Sequence, residues 1–134
     1  MKSLVVEDEF VARCVLQRFL ARYGECDVAV DGDEAIGAVT QAIANAASYD
    51  LICLDIGLPK LDGQGVLERI RTLEMGQGVQ LGHGCRVIMI TIATASDQVM
   101  GAFRGGADAY LTKPISLDSL TRELQSLRLI PAGS

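Results

Sequence analysis

The sequence lacks the marks of several large protein classes. No apolar run approaches the length of a membrane span, so membrane insertion is not expected. The opening Met1-Lys2-Ser3-Leu4-Val5-Val6-Glu7-Asp8 offers only Leu4, Val5 and Val6 before two acids, too little for the apolar core of a signal peptide. A cytoplasmic chain is therefore expected. Basic residues are scarce, 12 Lys and Arg against 17 Asp and Glu for a net charge of −5, and no basic cluster is longer than Arg69/Arg71. This argues against a phosphate-backbone footprint and hence against direct nucleic-acid binding. The cysteines (Cys14, Cys26, Cys53, Cys85) never fall at CxxC spacing, and all but Cys85 sit in apolar periodic segments. They read as buried apolar residues and not as a disulfide framework. The single histidine, His83, stands in a glycine-rich loop without a partner at ligand spacing, which reads as solvent-exposed and not as a metal ligand.

What is present is 134 residues, 49% of them apolar and 22% charged, enough chain for one domain over 1–134 with a real core. Strand and helix signals alternate five times along it. Leu4-Val5-Val6 is a short apolar strand ending in Glu7-Asp8-Glu9, acids that complement the positive end of a helix over 9–23. In that helix Phe10, Val11, Cys14, Val15 and Phe19 recur at helical spacing, and Gly24 ends it. Cys26-Asp27-Val28-Ala29-Val30 suits an edge strand. Asp31 with Glu34 three residues on is a capping box for an Ala-rich helix reaching about Ala47.

Leu51-Ile52-Cys53-Leu54 reads as a strand buried on both faces, with Asp55 at its carboxyl end. Asp62-Gly63 opens a helix through Val66, Leu67, Ile70 and Leu73, which frays into a glycine-punctuated loop over 76–84. Val87-Ile88-Met89-Ile90 is another apolar strand, ending in Thr91. Ser96-Asp97 caps a short helix carrying Val99, Met100 and Phe103, closed by Gly105-Gly106. Ala109-Tyr110-Leu111 is the last strand, before Thr112-Lys113-Pro114. Ser116 then caps a helix with a Leu117, Leu120, Leu124, Leu127 stripe.

This alternation calls for an α/β fold, a parallel sheet with helices on both faces joined by right-handed crossovers. The three apolar strands belong in the centre and the two mixed ones at the edges. That gives a five-stranded flavodoxin-like, doubly wound sheet of order 2-1-3-4-5, whose ligand crevice lies at the carboxyl ends of the strands.

Glu7, Asp8, Asp55, Thr91 and Lys113 all stand at that rim, and three of them are carboxylates sharing one crevice. At ~4 Å and an effective dielectric of ~20, each like-charged pair repels by about 4 kcal/mol, which a hard divalent cation would offset. Oxygen-only ligands favour Mg²⁺ over Zn²⁺. A dication, an ammonium and a hydroxyl around a carboxylate describe a site for transferring a phosphoryl group onto Asp55, giving an acyl phosphate. Taken singly, each residue has a plain structural role: Glu7-Asp8 as helix N-terminal charge, Asp55 as a turn residue, Lys113 as a solvated lysine and Tyr110 as edge packing. Their convergence on one rim is what favours chemistry.

Val5-Val6-Glu7-Asp8-Glu9, Leu54-Asp55-Ile56-Gly57-Leu58-Pro59-Lys60-Leu61-Asp62-Gly63, Ile90-Thr91 and Tyr110-Leu111-Thr112-Lys113-Pro114 span nearly the whole chain. In that order they resemble the receiver domain of bacterial two-component response regulators. The resemblance implies that Asp55 is the phosphoacceptor. It also implies that Asp8, Asp55 and the Gly57 carbonyl hold Mg²⁺ with Glu7 reaching it through water, and that Lys113 pairs with the phosphoryl group. Thr91 and Tyr110 match the family's switch pair, and the Lys113-Pro114 bond matches one usually cis. Two departures stand out. Ile92 occupies a position where the family usually has Ala or Gly, and the segment between Asp55 and Thr91 carries a surplus in the 76–84 loop.

The resemblance implies a phospho-accepting switch, not an enzyme on a second substrate. Its partners would be a sensor histidine kinase or phosphotransfer protein and a downstream protein target, with the domain a monomer or weak dimer. Since the chain ends soon after the last helix, no output domain is expected in cis. Three competitors are weaker. A Mg²⁺-dependent aspartyl phosphatase would want an acid where Gly57 stands. A flavin-binding module would want a phosphate loop where residues 7–9 are acidic. A phosphorylation-independent receiver-like module would be expected to have lost Asp55, Asp8 or Lys113.

Overall fold

The computed structural model describes residues 1–58, 61–79, 84–92 and 106–132. The helix expected over 96–105, His83 and the side chain of Ile92 lie outside the described residues. Along the chain run β1 (Ser3–Val6), α1 (Phe10–Leu20), a 3₁₀ turn (Ala21–Tyr23), β2 (Cys26–Ala29), α2 (Gly32–Ala44), β3 (Leu51–Asp55), α3 (Gly63–Gly76), β4 (Arg86–Ile92), β5 (Ala109–Lys113) and α4 (Leu117–Ser126). The strands form one parallel sheet in the order β2-β1-β3-β4-β5, as the distribution of apolar strands requires.

Period-two alternation splits the strand residues between two cores. Leu4, Val6, Ile52, Leu54, Val87 and Met89 face α2 and α3, where Ala35, Val39, Val66 and Ile70 meet them. Val5, Cys53, Ile88, Ile90 and Leu111 face α1 and α4, against Leu16, Phe19, Leu120 and Leu124. Every residue of β3 is buried, the signature of a central strand covered on both sides.

Helix starts follow the capping residues in the sequence. Asp31, Asp62 and Ser116 each accept a backbone N–H from the first turn of α2, α3 and α4. The capping box at α2 closes in altered form, because Glu34 accepts from the N–H of Val30 at 3.1 Å and not from that of Asp31. α1 corrects its expected apolar face. Leu16, Phe19 and Leu20 are buried, while Phe10, Val11 and Val15 are 67%, 62% and 46% exposed. Apolar residues occur all round this helix, so spacing alone does not fix its rotation. Its first turn also starts at the carboxyl rim, where the sheet beneath it is ending. Leu117, which opens α4 at the same rim, is exposed for the same reason while Leu120 and Leu124 are buried.

Edge strand β2 is blunted by its neighbours. Glu25 and Ala29 carbonyls accept from Ser3 and Glu7 of the β1 segment, so alternation turns the polar groups of Cys26, Val28 and Val30 outward. Gln17 of α1 donates to the Cys26 carbonyl at 3.2 Å, and Glu34 of α2 accepts the Val30 N–H at 3.1 Å. Side chains thus occupy part of the edge that another strand would use.

At the opposite pole from the rim, Arg71 ties α3 to the starts of β4 and β5. Its guanidinium donates to Glu74 at 2.7 Å, to the Cys85 carbonyl at 2.8 Å, to the Gly106 carbonyl at 2.7 Å and to Asp108 at 3.2 Å. Glu74 in turn accepts the Cys85 N–H, and Asp108 accepts that of Val87. Buried charges here are fully engaged, the condition under which they are tolerated.

Candidate functional site

Alternation that packs Val5, Cys53 and Leu111 into one core also sends Glu7, Asp55 and Lys113, two residues further along each strand, to that same face. There the strands end and apolar packing gives way to polar contact. Lys113 Nζ donates to Glu7 Oε1 at 2.9 Å and to Asp55 Oδ2 at 3.2 Å, bridging residues 106 and 58 positions apart in sequence. Asp55 Oδ1 accepts the Gly57 N–H at 2.9 Å. Asp8 completes the cluster: carboxylate oxygens of Glu7, Asp8 and Asp55 lie within 4.8 Å of one another. Glu7 and Asp55 are buried, whereas Asp8 is exposed.

Burial opposes charge on Asp55, yet the neighbouring Glu7 carboxyl, the Gly57 N–H and the Lys113 ammonium hold its carboxyl below the usual range. Glu7 moves the other way. Burial first, and then Asp55, push it up to about 7 against the pull of Lys113. Lys113 is raised by the two carboxylates in spite of its own desolvation. One lysine therefore leaves the carboxylates crowded, and a proton on Glu7 or a bound cation would relieve the repulsion.

The donor set fits a hard divalent cation. All the side-chain donors are carboxylate oxygens, and Glu7 Oε2 is buried with no hydrogen-bond partner among the described residues, an unmet acceptor on one of the three acids.

Thr91 and Tyr110 occupy a different place. Thr91, next to last in β4, is buried and pairs in register with Thr112, while Tyr110 pairs with Met89 and is 42% exposed. Alternation puts both on the side of the sheet shared with Met89, the reverse of that carrying Asp55 and Lys113. The Lys113-Pro114 bond is cis, in line with the family pattern.

Sequence reasoning passed over two residues that shape the site. A Cβ on Gly63 would overlap the Asp55 carbonyl oxygen and approach Ile56 Cα to 2.6 Å, so the start of α3 reaches the end of β3 only without a side chain. The Gly63 N–H donates to the Ile56 carbonyl at 3.0 Å across that contact. Its signal in the sequence is the Asp62-Gly63 pair, which a helix start accounts for equally well. Arg13 donates to the carbonyls of Glu7 and Asp8, and nothing in the sequence distinguished it from other helical arginines.

A doubly wound sheet with three acids and a lysine at its switch-point rim defines the receiver class. The response regulator receiver domain profile matches residues 3–125, and the chain belongs to that family. The transcriptional regulatory protein TcrA of Mycobacterium tuberculosis is 35% identical over 128 residues, covering 95% of this chain and 46% of that protein. The chain spans about half the length of the curated relatives it matches. A two-component response regulator from Clostridium difficile superposes with a TM-score of 0.78 at 26% identity, covering 100% of this chain and 99% of that one. The receiver domain of the Pseudomonas aeruginosa sensor histidine kinase PA1611, solved with a magnesium ion in its active site cleft, gives 0.73 at 28% identity, covering 93% and 94%. Among the described residues, no helix is long and apolar enough to cross a membrane.

Proposed function

We propose that Asp55 accepts one phosphoryl group, from the phosphohistidine of a histidine kinase or phosphotransfer protein, in a Mg²⁺-dependent reaction that switches a protein-binding face. The observation that carries this reading is the buried, charge-retaining Asp55 bonded to Lys113 at 3.2 Å beside Glu7 and Asp8. Each Asp55 oxygen engages one protein donor, which orients the carboxylate and leaves lone pairs for attack. An Oδ–P bond forms as the P–N bond to the donor imidazole breaks, and the imidazole, protonated on its other ring nitrogen, takes the bonding pair and leaves as a neutral ring. Glu7, Asp8, Asp55 and the Gly57 carbonyl would hold the Mg²⁺, which supplies neutralising charge for the phosphoryl oxygens. Lys113 balances the remaining charge by moving its ammonium from the carboxylates toward the phosphoryl group.

Phosphorylation adds about −1.5 to −2 charges at the rim. Thr91, one residue past the level of Asp55 on the neighbouring strand, is drawn round the strand end toward them, and Tyr110 moves into the space behind it. The face altered is that of β5 and α4, where Tyr110 and Leu117 are exposed, and it binds the downstream target. The domain acts in the cytoplasm and catalyses only its own phosphorylation and dephosphorylation.

Intact mass after incubation with a small phosphodonor and Mg²⁺ tests the central step. One hydroxylamine-labile phosphoryl group is expected. Labelling that persists in Asp55→Ala, or in EDTA, would overturn it.

A further inference from the structure

The two acids at the end of β1 sit on a turn whose main chain is held by a side chain from the following helix. Arg13 Nη1 lies 3.1 Å from the Glu7 carbonyl oxygen and 3.4 Å from that of Asp8. On the other side of the same turn, the Glu7 N–H donates to the Ala29 carbonyl at 3.1 Å. Fixing two successive carbonyls and the N–H just before them leaves the backbone of Glu7 and Asp8 little freedom. The directions of both Cα–Cβ bonds, and so of both carboxylates, are set with it.

Arg13 is itself held. The Phe10 ring lies 5.5 Å from its guanidinium carbon, within cation–π range, although Phe10 is 67% exposed and contributes little to the core. Glu9 fixes the start of the helix that carries both, accepting from the N–H groups of Val11 and Ala12 at 3.2 and 2.6 Å. No carboxylate lies within ion-pair distance of Arg13 among the described residues, so its charge is directed to carbonyl oxygens and an aromatic face.

We propose that Arg13 is a positioning residue for the divalent-cation site, clamping the Glu7-Asp8 turn through its two carbonyls and held in place by Phe10. This rests on the reading of Glu7, Asp8 and Asp55 as that site. Two physical effects of Arg13 have opposite signs. As a nearby cation it opposes dication binding. As a clamp it favours binding by removing the freedom of two ligands, in the manner of partners beyond the ligand shell, whose loss typically weakens metal affinity ~10–100-fold. The clamp is the larger effect, because the bonded guanidinium is directed at the main chain and not at the cation.

Calorimetric titration of the folded domain with Mg²⁺ separates the two. Arg13→Ala should bind Mg²⁺ about 10-fold more weakly than the unaltered chain, and Arg13→Lys, which keeps a donor and the charge, should recover part of the loss. Phosphorylation by a small donor should slow in Arg13→Ala at limiting Mg²⁺ and return to the unaltered rate at saturating Mg²⁺, a split that general destabilisation would not produce. Unchanged or tighter Mg²⁺ binding in Arg13→Ala overturns the proposal. Should that variant fail to fold, Phe10→Ala carries the same test: weaker Mg²⁺ binding supports the clamp, and equal binding overturns it. If the unaltered chain binds no Mg²⁺, the reading of the site falls and this proposal with it, an outcome distinct from equal binding by chain and variant.

Discussion

Replacing Arg71 by methionine should destabilise the domain more than any single loss on its surface. The side chain is 11% exposed and its ion-pair partners Glu74 and Asp108 are 12% and 17% exposed, so water screens little of the interaction. Methionine fills most of the volume but leaves two carboxylates and the Cys85 and Gly106 carbonyls without the guanidinium. Breaking a buried ionic network from one side costs about 3–5 kcal/mol, largely because Glu74 stays buried without its cation, whereas Asp108 keeps Arg86 at 3.2 Å. Against a total of ~5–15 kcal/mol for a domain, this is a substantial fraction. The melting temperature should fall by roughly 10–20 °C. Urea denaturation followed by circular dichroism measures the loss, and a cycle with Glu74→Gln isolates the pair. Removing both charges should cost less than the sum of the single losses, with a coupling of ~1–3 kcal/mol. A loss below about 1 kcal/mol, or strict additivity, would refute the view that these charges depend on one another.

Gly63→Ala should cost about 1–3 kcal/mol by forcing α3 away from the end of β3, and should slow phosphorylation further because Asp55 supplies the carbonyl it strikes; an unchanged urea midpoint would contradict the contact. Burial pushes the Cys53 and Cys85 thiols up to about 12, so both should resist iodoacetamide at pH 8 while half-buried Cys14 reacts, with peptide mass mapping as the readout. With folded values raised from 9.0, the contribution of these two thiols to stability is complete below about pH 9 and is lost as pH climbs toward 12. Labelling of Cys85 as fast as Cys14 in the folded chain would rule this out.

Strand order was legible because burial on both faces leaves a compositional trace. Leu51-Ile52-Cys53-Leu54 and Val87-Ile88-Met89-Ile90 have no polar side to turn outward, whereas Cys26-Asp27-Val28-Ala29 does. The same period-two alternation, continued past the last apolar residue of three strands, carried Glu7, Asp55 and Lys113 to one rim. Local chemistry of the same kind gave the caps at Asp31, Asp62 and Ser116. In each case the property belongs to a short segment and its own backbone geometry.

Packing between distant segments decided the rest. The rotation of α1 depends on which of several apolar residues finds sheet beneath it, so Phe10, Val11 and Val15 turned outward although their spacing suited a core face. Glu7 looked like one acid among several until the fold buried it beside Asp55 and raised its pKa. Lys113 reaches both carboxylates only because β5 runs two residues past the level of Asp55, which stands in register through Ile90 with Leu111. The bonds of Arg13 to the turn carbonyls, the close backbone approach that only glycine permits at position 63 and the Arg71 network at the opposite pole all depend on where main-chain atoms lie. A sequence states which side chains exist, but the position of a carbonyl oxygen is fixed only once the backbone has folded.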